Sequence, residues 1–226
     1  IAFYLGPRRH KTTPPHNPGF VMIGAAMLWV GWFGFNGGSQ LAADGGAAMA
    51  ITVTHISAAA ASLTWAAWER FKFGKASLVG MVTGTIAGLA SITPAAGSVD
   101  PLQALLIGAI AGILCQEVVN LVRNMLNIDD TLDVFAVHGI GGLTGTILVA
   151  FLALPTFDGL GLGKGITASH QLWVQFVGAA ATAAWAIIAS ICIIWIVRLI
   201  TPMRVSEEDE TEGLDITSHG ERGYNL

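Results

Sequence analysis

Of the chain's 226 residues, 53% are hydrophobic and 12% charged, with a mean hydropathy of +0.63. A soluble domain carries about 25% charged residues, so this composition excludes one and identifies an integral membrane protein. The net charge of −4 comes mostly from residues 207–221, which hold seven of the fifteen acids and no lysine or arginine; the sequence offers no basic nucleic-acid patch, glycine-rich phosphate loop or clustered metal ligands.

The apolar runs lack period-2 alternation and are longer than strands require, which selects helical spans over a barrel. The opening Ile1–Leu5 is too short to span and reads as the tail of a helix that begins before the given sequence. Residues 7–18 carry Arg8, Arg9, His10, Lys11 and His16 among prolines and form a loop. Spans are then expected from Gly19 to Ala43, Ala47 to Trp68, Ser77 to Ile92, Leu102 to Val122, Asp133 to Leu154 and Ser169 to Ile200, the last stopped by Pro202. Residues 1–203 therefore read as a transmembrane domain and residues 204–226 as a cytoplasmic C-terminal tail.

Six spans alternate sides, so the connecting loops fall under the positive-inside rule. Arg8, Arg9, Lys11, Arg70, Lys72, Lys75, Arg123, Arg198, Arg204 and Arg222 lie on one side, and Lys164 alone on the other. That ten-to-one division supports both the span count and a cytoplasmic tail. Small residues recur at four-residue spacing: Gly34 and Gly38; Gly80, Gly84 and Gly88; Gly108 and Gly112; Gly141 and Gly145. Such spacing lets helix backbones approach closely, so a tight bundle is expected.

Trp32, Phe35, Asn36 and Ser39 recur at i, i+3, i+4 and i+7, one stripe of a helix near its outer end. Two rings and a hydroxyl there suit a small cation, through cation–π attraction and one oxygen acceptor. The same pattern also describes an interfacial aromatic belt beside a glycine contact. His138 is the one ionisable residue between Asp133 and Leu154. Hydrocarbon penalises such a group unless it is paired or meets water, so His138 either lines a conduit or is a buried hydrogen-bonder. A neutral imidazole offers one donor and one acceptor, which suits a proton relay or a neutral solute.

Asp133 lies five residues before His138, about 140° away round an α-helix. With Asp129 and Asp130 it reads as a first-turn cap and dipole partner. His55, beside Thr52, Thr54 and Ser57, reads as a hydrogen-bonder to a neighbouring helix, His170 as interfacial, and Glu117 as snorkelling towards Arg123 or water. Cys115 and Cys192 sit in apolar runs and read as small hydrophobes.

Three stretches together resemble the ammonium transporter family (Amt/Mep/Rh). They are Gly31-Trp32-Phe33-Gly34-Phe35-Asn36-Gly37-Gly38-Ser39, then Asp133-Val134-Phe135-Ala136-Val137-His138-Gly139, and in the tail Glu212-Gly213-Leu214-Asp215 with Ser218-His219-Gly220-Glu221 and Tyr224. All three stand in the family's order and spacing, and the chain is similar to the C-terminal part of a bacterial-type member. The resemblance implies an all-α integral membrane protein, its six transmembrane helices belonging to an eleven-helix ammonium-transporter fold with an inverted repeat. It also implies a homotrimer in the cytoplasmic (inner) membrane, each protomer with its own narrow hydrophobic pore and a cytoplasmic C-terminus.

By the same resemblance, Trp32 and Ser39 match substrate-binding positions at the outer vestibule, and Phe35 matches a ring of the pore gate. His138 matches the second of two pore histidines, and Asp133 a structural acid. Gly213, Leu214, Asp215, Ser218, His219, Gly220, Glu221 and Tyr224 match a regulatory tail that packs on the cytoplasmic face and couples to a PII-type nitrogen-regulatory protein. The first pore histidine, the acid tied to ammonium deprotonation, the partner phenylalanine and a further vestibule tryptophan belong to the part of the family pattern that precedes Ile1. His55-Ile56-Ser57 echoes a fifth-helix motif but aligns in the seventh, and does not replace them.

The expected function is thus transport of ammonium or ammonia across the lipid bilayer. No enzymatic step, cofactor, metal or nucleic acid is expected. A sensor of the same fold, signalling through its tail, is the alternative; a structural membrane subunit or a channel for another small solute such as CO2 ranks behind it.

Overall fold

A computed structural model describes residues 1–9, 14–157 and 159–224; His10, Lys11 and the last two residues of the tail lie outside them. The described secondary structure is entirely helical. In chain order the helices are α1 (Ala2–Leu5), α2 (Pro18–Gly38), α3 (Gly45–Phe73), α4 (Leu78–Ile92), α5 (Pro101–Asn120), α6 (Gly141–Leu152), α7 (Ala168–Ile200), α8 (Glu207–Glu212) and α9 (Leu214–His219).

Most long helices start on a side chain that satisfies amides left open in the first turn. Asn17 Oδ1 accepts from Phe20 N at 3.1 Å, with Pro18 at the first helical position. The Asp44 carboxylate accepts from Gly46 N and Ala47 N at 2.9 and 3.1 Å. Those bonds, the Ala47 amide first and the Gln40 side chain next, hold its carboxyl below the usual carboxylate range. Ser77 and Thr167 cap α4 and α7 through Gly80 N and His170 N, and Gln103 Oε1 closes a capping box on Asp100 N at 3.0 Å.

Among the described residues five helical stretches are long and apolar enough to cross a membrane: Pro18–Gly38, Gly45–Phe73, Pro101–Met125, Phe135–Leu152 and Ala168–Ile200. The sixth expected span, α4, has 15 residues, about 22 Å of helix against a hydrocarbon core of about 30 Å. Its missing length is supplied by the irregular residues 93–99, where Ala95, Ala96 and Val99 are buried against Val53, Ile107 and Val149. Irregular backbone is tolerated at this depth because protein, not lipid, surrounds it. The first span ends at Gly38 rather than Ala43, where a glycine pair weakens the helix and Leu41 turns to φ 60° before Asp44 starts the next one.

Among the described residues three helical stretches depart from α geometry, one of them the 3-10 turn Pro155–Phe157. Leu121–Met125, continuing α5, and Phe135–Ile140, leading into α6, are wide π turns. Such turns insert an extra residue and often mark functional sites.

Helix α3 is central and packs on α2, α4 and α5. The close approaches use the small residues: a Cβ on Gly88 would come within 2.5 Å of the Ser57 carbonyl oxygen, and one on Gly108 or Gly112 would overlap the α3 backbone at Ser57 or Ala61. Gly145 of α6 sits equally tight on the Ser91 carbonyl of α4. The pair Gly34 and Gly38 differs from expectation, with open space where a Cβ would stand. Helix α7 lies against α6 and buries none of its side chains.

Candidate functional site

Near the C-terminal end of α2, the Trp32 indole Nε1 donates to Thr93 Oγ1 at 2.7 Å, and Thr93 in turn donates to Leu89 O. This ties Trp32 to the end of α4. The Phe35 ring meets Trp32 edge-on, with centroids 5.9 Å apart, and is 61% exposed. Ser39 Oγ donates to Phe35 O at 2.6 Å, which commits its proton and leaves its lone pairs open to a donor such as a small cation. Below them an apolar recess of about 590 Å³ runs along Gly24, Met27, Leu28, Gly31, Trp32 and Phe35.

Asn36 does not belong to this group. It is buried, and its Nδ2 donates to Thr54 Oγ1 on α3 at 2.8 Å. An amide facing lipid would leave its donors unpaired, so the protein takes Asn36 inward and the stripe narrows to Trp32, Phe35 and Ser39.

His138 stands in the π turn Phe135–Ile140. Its neighbours Ala136 and Val137 are buried, Val137 in a cluster with Trp65, Ala87 and Cys115, while the His138 ring is exposed. Three residues on, Gly141 lies against Ser91 Oγ of α4 and Cys115 Sγ of α5. Trp32 through Thr93, and His138 through Gly141 and Ser91, are therefore both referenced to the upper part of α4, with His138 nearer the end where Phe135 enters. Among the described residues no hydrogen bond joins His138 to Trp32, Phe35 or Ser39.

The three acids before His138 have different partners. Asp129 Oδ2 accepts from Arg8 N and Arg8 Nε at 2.8 and 2.9 Å. Burial works against its ionisation, but those Arg8 contacts outweigh it and hold the carboxyl below its usual range. Asp130 Oδ2 accepts from Phe135 N at 2.8 Å and so caps the π turn. Asp133, expected to cap, instead pairs with Arg123, Nε to Oδ1 at 2.6 Å and Nη2 to Oδ2 at 2.9 Å. The reason is local: Asp133 has φ 55°, away from the extended backbone from which a cap side chain reaches the first-turn amides. Burial pushes the Asp133 carboxyl up to about 6 even against the pull of Arg123.

Two other expectations are corrected. Glu117 does not reach Arg123, which Asp133 occupies; it takes Lys72 Nζ at 2.7 and 2.8 Å and the Trp68 indole N–H. His55 makes no hydrogen bond among the described residues and packs on the rings of Trp29 and Phe33, 5.1 and 6.0 Å between centroids.

The tail folds into α8 and α9, helices the sequence reading did not anticipate. Ser206 Oγ accepts from Asp209 N at 3.1 Å and starts α8; Gly213 and Gly220 adopt φ 102° and 67° at the two breaks. Leu214, Asp215, Ser218 and His219 lie in α9, and Glu221 N returns to Asp215 O at 3.0 Å. The tail is tied back to the first loop. Arg9 N donates to Glu210 Oε1 at 2.8 Å, Arg9 Nη1 meets Glu207 at 2.7 Å, and Arg204 forks onto Glu210. Tyr224 Oη accepts from Asn17 Nδ2 at 2.8 Å, and its ring stacks on His16 at 5.1 Å. Of these partners only the Ser206-x-x-Asp209 cap had a local signal; Arg9, His16, Asn17 and Thr93 are joined across long stretches of chain. No group of three or more His, Cys, Asp or Glu placed for a metal occurs among the described residues.

Comparison with known proteins gives a consistent picture. The profile described as Ammonium Transporter Family matches residues 1–224. The chain is 44% identical to the ammonium transporter Amt1 of Archaeoglobus fulgidus, over 99% of this chain and 57% of that protein. It is 41% identical to an ammonium transporter of Bacillus subtilis, over 99% of this chain and 56% of that protein. It superposes on the solved structure of a sensor Amt protein with a TM-score of 0.87 at 31% identity, covering 96% of this chain and 55% of that one. For the crystal structure of Candida albicans Mep2 the TM-score is 0.80 at 31% identity, over 92% and 49%. The chain thus spans about half the length of the curated relatives it matches.

Proposed function

The chain belongs to the ammonium transporter family, and on that premise we propose that the protein moves ammonium or ammonia across the cytoplasmic membrane. In this reading ammonium is recruited on the outer side by Trp32 and Ser39, passes the Phe35 ring, gives up its proton and continues as ammonia past His138. The proton must follow if transport is electrogenic. Physics favours that order, because a desolvated ion pays heavily in a narrow apolar path and a neutral molecule pays little.

The observation that carries the reading is the placement of Trp32 and Phe35 on an apolar recess with Ser39 one turn beyond them on α2, and an exposed His138 whose stretch packs through Gly141 on the same helix α4 that holds Trp32 through Thr93. The same reading makes the protein a homotrimer of inner-membrane protomers, residues 1–203 transmembrane and residues 204–226 cytoplasmic. Its tail, from Gly213 to Tyr224, then meets a PII-type regulatory protein; the anchoring of that tail on Arg9, His16 and Asn17 supports a fixed regulatory surface. Asp133 serves as a structural acid, holding Arg123.

The test is ammonium-dependent current from the full-length protein in liposomes. Loss or a large change of rate and selectivity in His138→Ala supports the assignment; unchanged current and selectivity overturn it. One observation favours a second reading, an ammonium sensor signalling through its tail: the solved structure superposing at a TM-score of 0.87 is a sensor Amt protein. Ammonium-dependent movement of the tail with no ammonium current would select the sensor.

A further inference from the structure

We propose that the Gln116 side chain binds an ordered water at the inner end of a polar track that enters the protein along α5. Three side chains at four-residue spacing build the track. Asn124 is exposed, and its Nδ2 donates to Asn120 Oδ1 at 3.4 Å; Asn120 Nδ2 donates in turn to Gln116 O at 3.1 Å. Eight residues carry the track about 12 Å along the helix axis, from the loop end of α5 to a glutamine only 4% exposed. Its neighbour Cys115 is fully buried in a cluster with Trp65, Ala87 and Val137.

The track ends on an open acceptor. Among the described residues, Gln116 Oε1 is buried and has no hydrogen-bond partner. Trp29 Nε1 and Ser91 Oγ share that condition, but neither stands at the end of a run of amides. Buried polar atoms in folded proteins are satisfied by protein groups or by ordered water. A donor stands one turn away: Asn120 Nδ2 spends one hydrogen on Gln116 O and keeps a second. A water between that hydrogen and Gln116 Oε1 accepts from one and donates to the other, which gives it the two polar partners a buried water requires. The helix widens into the π turn Leu121–Met125 directly after Asn120, and water inserts where a helical hydrogen-bond ladder is irregular.

Charge selects water over a cation. Glu117, the adjacent acid, is taken up by Lys72 and the Trp68 indole. Amide groups alone remain to hold the ligand, so the site suits a neutral molecule that both donates and accepts. It does not depend on ammonium conduction.

The test is a cryo-EM map of the full-length protein in ammonium-free buffer, at a resolution that shows ordered water. A water peak within hydrogen-bond distance of Gln116 Oε1 and Asn120 Nδ2 is expected. A bare Oε1, or a protein group bonded to it, overturns the proposal. Asn120→Leu should lose the peak with Gln116 in place; a peak unchanged in that variant overturns the role of the track. Thermal unfolding gives a second readout through Gln116→Met, which keeps a similar volume. Loss of a water-satisfied amide should lower Tm by roughly 2 °C, whereas loss of an unpaired polar atom would raise it, and a rise overturns the proposal. Ammonium current from the same preparations reads the transport proposal separately, since the water is sought without ammonium.

Discussion

Arg123 and Asp133 clasp the two π turns of the molecule to each other. The guanidinium, carried on Leu121–Met125, holds a carboxylate two residues ahead of Phe135–Ile140 at 2.6 Å. Burial nevertheless raises the Asp133 carboxyl from an ordinary 3.8 to about 6, so the folded protein holds this proton more tightly than the unfolded chain. Stability from this group is therefore greatest at low pH and falls as pH rises from about 4 to about 6. Asp133→Asn should remove that decline from the thermal midpoint measured across this window. Arg123→Ala should be the more harmful change at pH 7, since it strands an ionised carboxylate, and should lose most of that effect at pH 5. A decline that persists in Asp133→Asn would assign the titration to another group.

Thr93 supplies the acceptor that fixes the Trp32 indole. Thr93→Val keeps the shape and leaves the N–H unpaired, at roughly 1–3 kcal/mol. If Trp32 recruits ammonium, its apparent affinity should weaken by about tenfold with the maximal current little altered. Concentration-dependent currents on solid-supported membranes measure both; a fall in maximal current at constant affinity would contradict a recruiting role.

Gly145 has no room for a side chain, because a Cβ there would overlap the Ser91 carbonyl oxygen. Gly145→Val overpacks the α4–α6 contact, at about 1–3 kcal/mol, which for a protein of this size lowers Tm by roughly 5 °C. Gly178→Ala on α7 faces open space and should leave Tm unchanged or slightly higher. Thermal unfolding followed by tryptophan fluorescence in detergent compares them.

The tail should detach in acid. The Arg9 amide and the Arg204 guanidinium hold the Glu210 carboxyl below its ordinary 4.5, so its contribution is present above that value and is lost as pH falls through the lower one. Cleavage of the tail by an acid-active protease should rise steeply there, while Glu210→Gln and Tyr224→Ala should make it cleavable at neutral pH. Resistance of both variants at neutral pH would show that other contacts hold the tail.

The spans were legible because an apolar run is a local signal; the first-turn partners that Asn17, Ser77 and Gln103 supply leave no mark in hydropathy and emerge only in the structure. The motif around Trp32 and that around His138 were legible as a family pattern, although the direction of each side chain was not. A 3.6-residue period placed Asn36 on the stripe with Phe35, whereas its amide finds Thr54 in the interior. The π turn at Phe135–Ile140 leaves no mark in hydropathy, so Asp129, Asp130 and Asp133 read together as a first-turn cap, whereas it is Asp130 that bonds the Phe135 amide. Partner choice was the least visible. Arg123 was expected to meet Glu117, and only folding in three dimensions gives it Asp133 and gives Lys72 to Glu117.

The wide turn under His138 is held at both ends, by Asp130 on Phe135 N and by Gly141 against Ser91 and Cys115. Chain length between those anchors therefore sets the azimuth of the imidazole. Removing Ala136 or Val137 would let the stretch relax to α geometry with both anchors kept, and would swing His138 by about 100° about the helix axis. A scan of one-residue deletions across this stretch, with substitutions as controls, would separate a site defined by spacing from one defined by side-chain identity.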